Sequence, residues 1–140
     1  MKKLNKKDFN IIICIISAIL GILAFLANKY YLRPYLYKKE IYNEFRYNDK
    51  NLTFSDEQAW GFAECMYDKL HAKYGDIKNF PGYEREFIDI FYYKTFWECG
   101  AANNFYGKKD SLFIMTHLDS LAKESFLLDL KQGDIFIVDD

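Results

Sequence analysis

The sequence predicts an all-α protein: a single N-terminal transmembrane helix followed by a small bundle of about three to four helices. Three observations carry this. A 20-residue run, 9–28 (FNIIICIISAILGILAFLAN), holds no charged residue. The remainder carries apolar residues at helical spacing between capping residues and glycines. With 51% hydrophobic residues and only two Pro and seven Gly in 140, the composition excludes general disorder and low-complexity chains.

Taken in order, 1–8 is a basic tail with Lys2, Lys3, Lys6 and Lys7. At 1.5 Å per residue, 9–28 makes about 30 Å of helix, the thickness of a hydrocarbon core. A cleaved signal peptide is the competing reading. Cutting after Ala27 places Phe25 at −3, and cutting after Ala24 places Ile22 there, so neither is a small-x-small site. The apolar run also exceeds the roughly 7–15 residues of a signal-peptide core. A retained signal anchor fits better. Tyr30 and Tyr31 follow directly, where an interfacial aromatic belt belongs. Basic residues flank both ends, so the positive-inside count is nearly tied. The short N-terminal tail favours an N-in, C-out orientation, with the remainder extracytoplasmic (periplasmic in a Gram-negative envelope).

Segment 29–50 is basic and rich in Tyr, and Pro34 suits the first turn of a new helix. It reads either as a juxtamembrane helix on lipid headgroups or as a connecting helix docked on the domain. Residues 51–140 form an acidic helical domain with nine Lys/Arg against sixteen Asp/Glu. That balance excludes nucleic acid as a partner, since phosphate binding needs a basic footprint. It permits a basic protein.

Within the domain, Ser55 and Gln58 fit a capping box, and the first helix runs to Tyr74 before Gly75. Ala59, Phe62, Ala63, Met66 and Leu70 form its apolar stripe. The second helix spans roughly Tyr83–Cys99, ending at Gly100. Its apolar residues surround it, including Phe87, Ile88, Ile90, Phe91, Phe96 and Trp97, so it reads as the central element. A third helix starts near Asp110 or Ser111 and ends at Gly133. Ile114, Met115, Leu118, Leu121, Ala122, Phe126 and Leu130 form its stripe. The C-terminal tail 134–140 (DIFIVDD) is a short extended tail that adds an edge strand or fills a groove.

Of three cysteines, Cys14 lies in the apolar run, and Cys65 and Cys99 are the disulfide candidates for an exported domain. Two unpaired thiols are the alternative for an inward-facing one. His71 and His117 have no metal-ligand spacing, and no metal or cofactor is expected. A Cys–His nucleophile pair lacks an orienting third group. Glu84, Glu86 and Asp89 read as the wet side of a helix. The sequence has no GxxxxGK[ST], GxGxxG, GxSxG or HExxH. Asn51-Leu52-Thr53 matches a glycosylation sequon, and Ser17-xxx-Gly21 is a small-xxx-small pair. Together these point away from an enzyme. They point to a single-pass, membrane-anchored protein-binding module, such as an inhibitor or immunity-type protein for a basic partner. The alternative is a subunit or assembly factor of a membrane complex.

Overall fold

Helix dominates the computed structural model, which describes residues 5–48, 54–83 and 88–133. The elements are α1 (Lys6–Ala27), a π-helical turn (Asn28–Leu32), α2 (Arg33–Asn43) and a second π turn (Glu44–Asn48). Then come α3 (Asp56–Tyr74), a 3₁₀ turn (Ile77–Asn79), α4 (Ile90–Ala102), α5 (Lys108–Thr116) and α6 (Leu118–Gln132). Every regular element among the described residues is helical, as the sequence predicts. The sequon at 51–53, Glu84, Glu86, Phe87 and the tail 134–140 lie outside the described residues.

Contacts divide the chain after Leu36, inside the segment 29–50 read as juxtamembrane. In the first unit, no residue of α1 is buried, and this helix is long and apolar enough to cross a membrane. Pro34 does not end it. Proline lacks an N–H and its ring collides with the carbonyl four residues back. The helix answers by widening: the Arg33 N–H bonds to the Asn28 carbonyl, five residues back.

The second unit is built around α3 and α4. The capping box forms as expected: the Gln58 N–H donates to Ser55 Oγ at 3.1 Å, and the Ser55 N–H donates to Gln58 Oε1 at 3.0 Å. At the other end Gly75 takes φ 73°, a left-handed value that favours glycine. The expected stripe of Ala59, Phe62, Ala63, Met66 and Leu70 is buried. Phe62, Met66, Leu70, Ile77, Phe80 and Cys99 form the core, with Tyr37, Ile41 and Phe45 of the α2 region packed against it. For residues 37–45 the docked reading therefore holds. Phenylalanines supply much of this core. Phe54 stacks on Phe105 at 3.9 Å, Phe105 on Phe62 at 4.8 Å, and Phe62 meets Phe96 edge-on at 5.2 Å.

Three boundaries differ from expectation. First, α4 begins at Ile90 rather than Tyr83, because Asp89 caps it by accepting from the Tyr92 N–H at 2.9 Å. Second, Gly100 does not stop α4, which continues to Ala102. A Cβ there would lie 2.8 Å from the Tyr106 ring, so glycine serves close packing and not termination. Third, the single helix expected up to Gly133 is two helices, broken at His117. Thr116 Oγ1 donates to the Leu112 and Phe113 carbonyls at 3.1 and 2.9 Å, and His117 Nδ1 sits 2.9 Å from the Phe113 carbonyl oxygen. The His117 N–H still reaches the Phe113 carbonyl and also the Ile114 carbonyl, each at 3.1 Å, so the last turn of α5 tightens there. Met115, placed on the apolar stripe, is exposed, whereas Ile114 and Ala122 are buried.

α4 packs against α3, α5 and α6, the central position its sequence suggests. Its fully buried members are small: Thr95, Cys99, Gly100 and Ala101. They let neighbours approach, while its aromatics lie half-buried along the seams. Cys65 of α3 and Cys99 of α4 form a disulfide with Cα atoms 5.6 Å apart, within the ordinary range. Side chains add further ties. Lys69 pairs with Glu98 at 3.0 Å, Lys94 with Asp119 at 2.8 Å, and Trp97 Nε1 donates to Ser125 Oγ at 3.0 Å.

Two outcomes follow. Cys65→Ser/Cys99→Ser opens a loop of 34 residues, a loss of about 4 kcal/mol by the chain-entropy relation. Denaturant unfolding of oxidised protein and of the double variant measures it. Gly100→Ala costs about 1–3 kcal/mol through overpacking, and most of that cost disappears in a Tyr106→Ala background, a double-mutant cycle read by the same unfolding.

Candidate functional site

Two surfaces concentrate chemistry, one in each unit. In the first, the helical repeat of α1 sorts residues by size. Asn10, Cys14, Ser17, Gly21, Ala24 and Asn28 recur at alternating steps of four and three. At about 100° per residue they occupy roughly 80° of arc, and no Ile, Leu or Phe falls inside it. Every hydrogen-bonding side chain of 9–28 lies on this stripe. An open groove of about 630 Å³, lined by Ala24, Ala27, Asn28, Tyr31, Leu32 and Tyr35, continues it. The expected Ser17-xxx-Gly21 pair is thus the middle of a longer seam, whose four-three spacing is readable in the sequence. Tyr30 and Tyr31, the expected interfacial residues, stand exposed in the following π turn, with Lys29 Nζ 5.5 Å from the Tyr30 ring centroid.

In the second unit, the end of α2 and its π turn meet the first turns of α3. The Tyr42 hydroxyl and Arg46 Nε both donate to Asp56 Oδ1, each at 2.7 Å. Tyr42 also meets Trp60 edge-on at 5.7 Å and Tyr47 at 6.1 Å. The Arg46 guanidinium lies 5.7 Å from the Tyr47 ring, which is 67% exposed. Residues 42 and 47 would lie about 140° apart on an α-helix. The π turn brings them to one side, a juxtaposition that apolar periodicity does not reveal.

The Tyr42 hydrogen bond, reinforced by Arg46, holds the Asp56 carboxyl below the ordinary carboxylate range. Reciprocally, the Asp56 carboxylate pushes the Tyr42 phenol up to about 12. At neutral pH the cluster is therefore an ionised carboxylate shared by a neutral phenol and a guanidinium, rimmed by aromatic faces. Such a surface can stack on apolar groups and donate hydrogen bonds from Arg46.

The other sequence-marked residues are dispersed. His71 Nδ1 lies 2.7 Å from the Gly75 carbonyl oxygen, at the end of α3. His117 stacks on Phe113 at 4.2 Å. Both imidazoles are solvent-exposed. Cys65 and Cys99 are bonded to one another, so neither sulfur is a thiolate in this state. Asp89 caps α4 and also accepts from the Tyr74 hydroxyl. Burial, then Asp89, keeps that phenol well above its usual value. Among the described residues no group of three His, Cys, Asp or Glu could hold a metal ion.

The Asp56 tie carries a pH signature. A carboxyl lowered in the folded state stabilises fully above its unfolded value, and the stabilisation fades as pH falls through the folded value. Below about pH 4 the chain loses this increment, whereas Asp56→Asn lacks it at every pH. Melting temperatures of the two proteins across the acid range therefore converge as pH falls. Comparison with family models, curated proteins and solved structures finds no match to this chain.

Proposed function

We propose that the protein is a membrane-anchored binding module whose helical domain holds a basic protein partner on the extracytoplasmic side, in the manner of an inhibitor or immunity protein. The observation that carries this is the Tyr42–Arg46–Tyr47–Trp60 surface around Asp56. Tyr, Trp and Arg are the residues that dominate binding energy at interfaces, and here they stand together beside the α3 N-terminus. The anchor reading rests on α1, which is uniformly apolar and unburied. The extracytoplasmic side is favoured by the Cys65–Cys99 bridge, since structural disulfides persist in oxidising compartments. The acidic excess of 51–140 suits a basic partner and would speed encounter with it.

A second reading, a subunit or assembly factor of a membrane complex, draws on the α1 seam. Small residues on one face let transmembrane helices approach closely, and Asn10, Ser17 and Asn28 could hydrogen-bond across such a contact.

One experiment separates the two readings. Full-length protein captured from membranes in mild detergent retains a basic partner at low salt and releases it at high salt. Tyr47→Ala and Trp60→Ala each weaken capture by on the order of tenfold or more. Exchange of α1 for an unrelated apolar 20-mer leaves capture intact on the first reading and abolishes it on the second. A protein that captures nothing at any salt concentration refutes both.

A further inference from the structure

The outward face of α5 is apolar where a surface helix is ordinarily polar. Leu112 is 69% exposed, Phe113 55% and Met115 46%, while Ile114 turns inward at 5%. At about 100° per residue these three share an arc with Lys108, Lys109 and Thr116. The nearest acid in the helix, Asp110, lies roughly 140° from the centre of that arc. We infer that α5 is a lipid-contact helix whose outward face rests on an anionic phospholipid surface, through Leu112, Phe113 and Met115 at the acyl boundary and Lys108 and Lys109 at the phosphates.

The two lysines select an anionic occupant. Protein interfaces are enriched in aromatic residues, Met and Arg and depleted in Lys. The Tyr42–Trp60 surface has that signature; α5 shares it in Phe113 and Met115 and departs from it in carrying two lysines and no Arg. Large apolar residues flanked by Lys are what interfacial helices use. Nine residues bind a bilayer weakly. This inference rests on the anchor reading, by which α1 keeps the domain at the membrane, and a tethered weak contact gains from high effective concentration. The acidic excess of 51–140 is repelled by anionic lipid, which disfavours approach by other faces and orients the domain through this locally basic one.

The test is photocrosslinking of the full chain. Phe113→p-benzoylphenylalanine protein is reconstituted in vesicles of phosphatidylglycerol and phosphatidylcholine in equal parts, and the products are weighed intact. The side chain replaced is exposed, so the variant keeps its core. A lipid-mass adduct is expected, with little at the same probe placed by Glu64→p-benzoylphenylalanine, an exposed position on α3. Lys108→Gln and Lys109→Gln should each lower the yield by roughly fivefold, the worth of one basic residue near an anionic surface. A dimer-mass adduct at 113 assigns the face to a second copy and overturns the inference. So does protein that floats with the vesicles yet forms no lipid adduct there, or forms as much with pure phosphatidylcholine. Protein that fails to float overturns the anchor reading, and this inference with it.

Discussion

The crossing of α3 over α4, closed by Cys65–Cys99, is the constraint on which the second unit is built. A sulfur bridge needs two backbones close together, and on the Cys99 side of α4 the neighbour one turn earlier is the small, buried Thr95. Phe62 and Phe96 face one another across the helices, and Phe45 and Phe105 close the stack from the flanking segments. Aromatic side chains thus form or line much of the core of this short domain.

What was legible in the sequence was whatever depends on neighbours along the chain. The Ser55–Gln58 box, the Gly75 stop and the α3 stripe are local signals, and each is where the pattern puts it. So is the unbroken apolarity of α1. The failures arise where the deciding partner is remote or where the backbone departs from the helix without Gly or Pro. Gly100 looks like a terminator until Tyr106, six residues on, is seen to cover it. The break at His117 contains neither Gly nor Pro. There the His117 N–H is shared between the Phe113 and Ile114 carbonyls, and His117 leaves the helical range at φ −122° and ψ 23°. Asp89 reads as a wet-side acid, and the structure makes it the cap of α4.

The candidate surfaces divide along the same line. The α1 seam could be recovered from spacing alone, because an uninterrupted helix converts sequence intervals into angles. The Tyr42–Arg46–Tyr47 grouping could not, because a π turn changes that conversion for one turn only. The carboxylate that organises it, Asp56, belongs to another helix. Residues 42, 46, 47, 56 and 60 become one surface only through the docking of α2 on the core.

Gln58 has a second duty. Beyond its part in the cap, its Nε2 reaches the carbonyls of Asn103 and Asn104 at 3.3 and 3.1 Å, where the chain leaves α4 and Asn104 takes φ 58°. Glutamate would satisfy the cap equally well and complement the helix dipole better. Its carboxylate, however, offers no N–H to those two oxygens and would face them with like polarity. The amide is therefore a clasp between the start of one helix and the exit of the next, and helix statistics alone would choose the wrong residue for it.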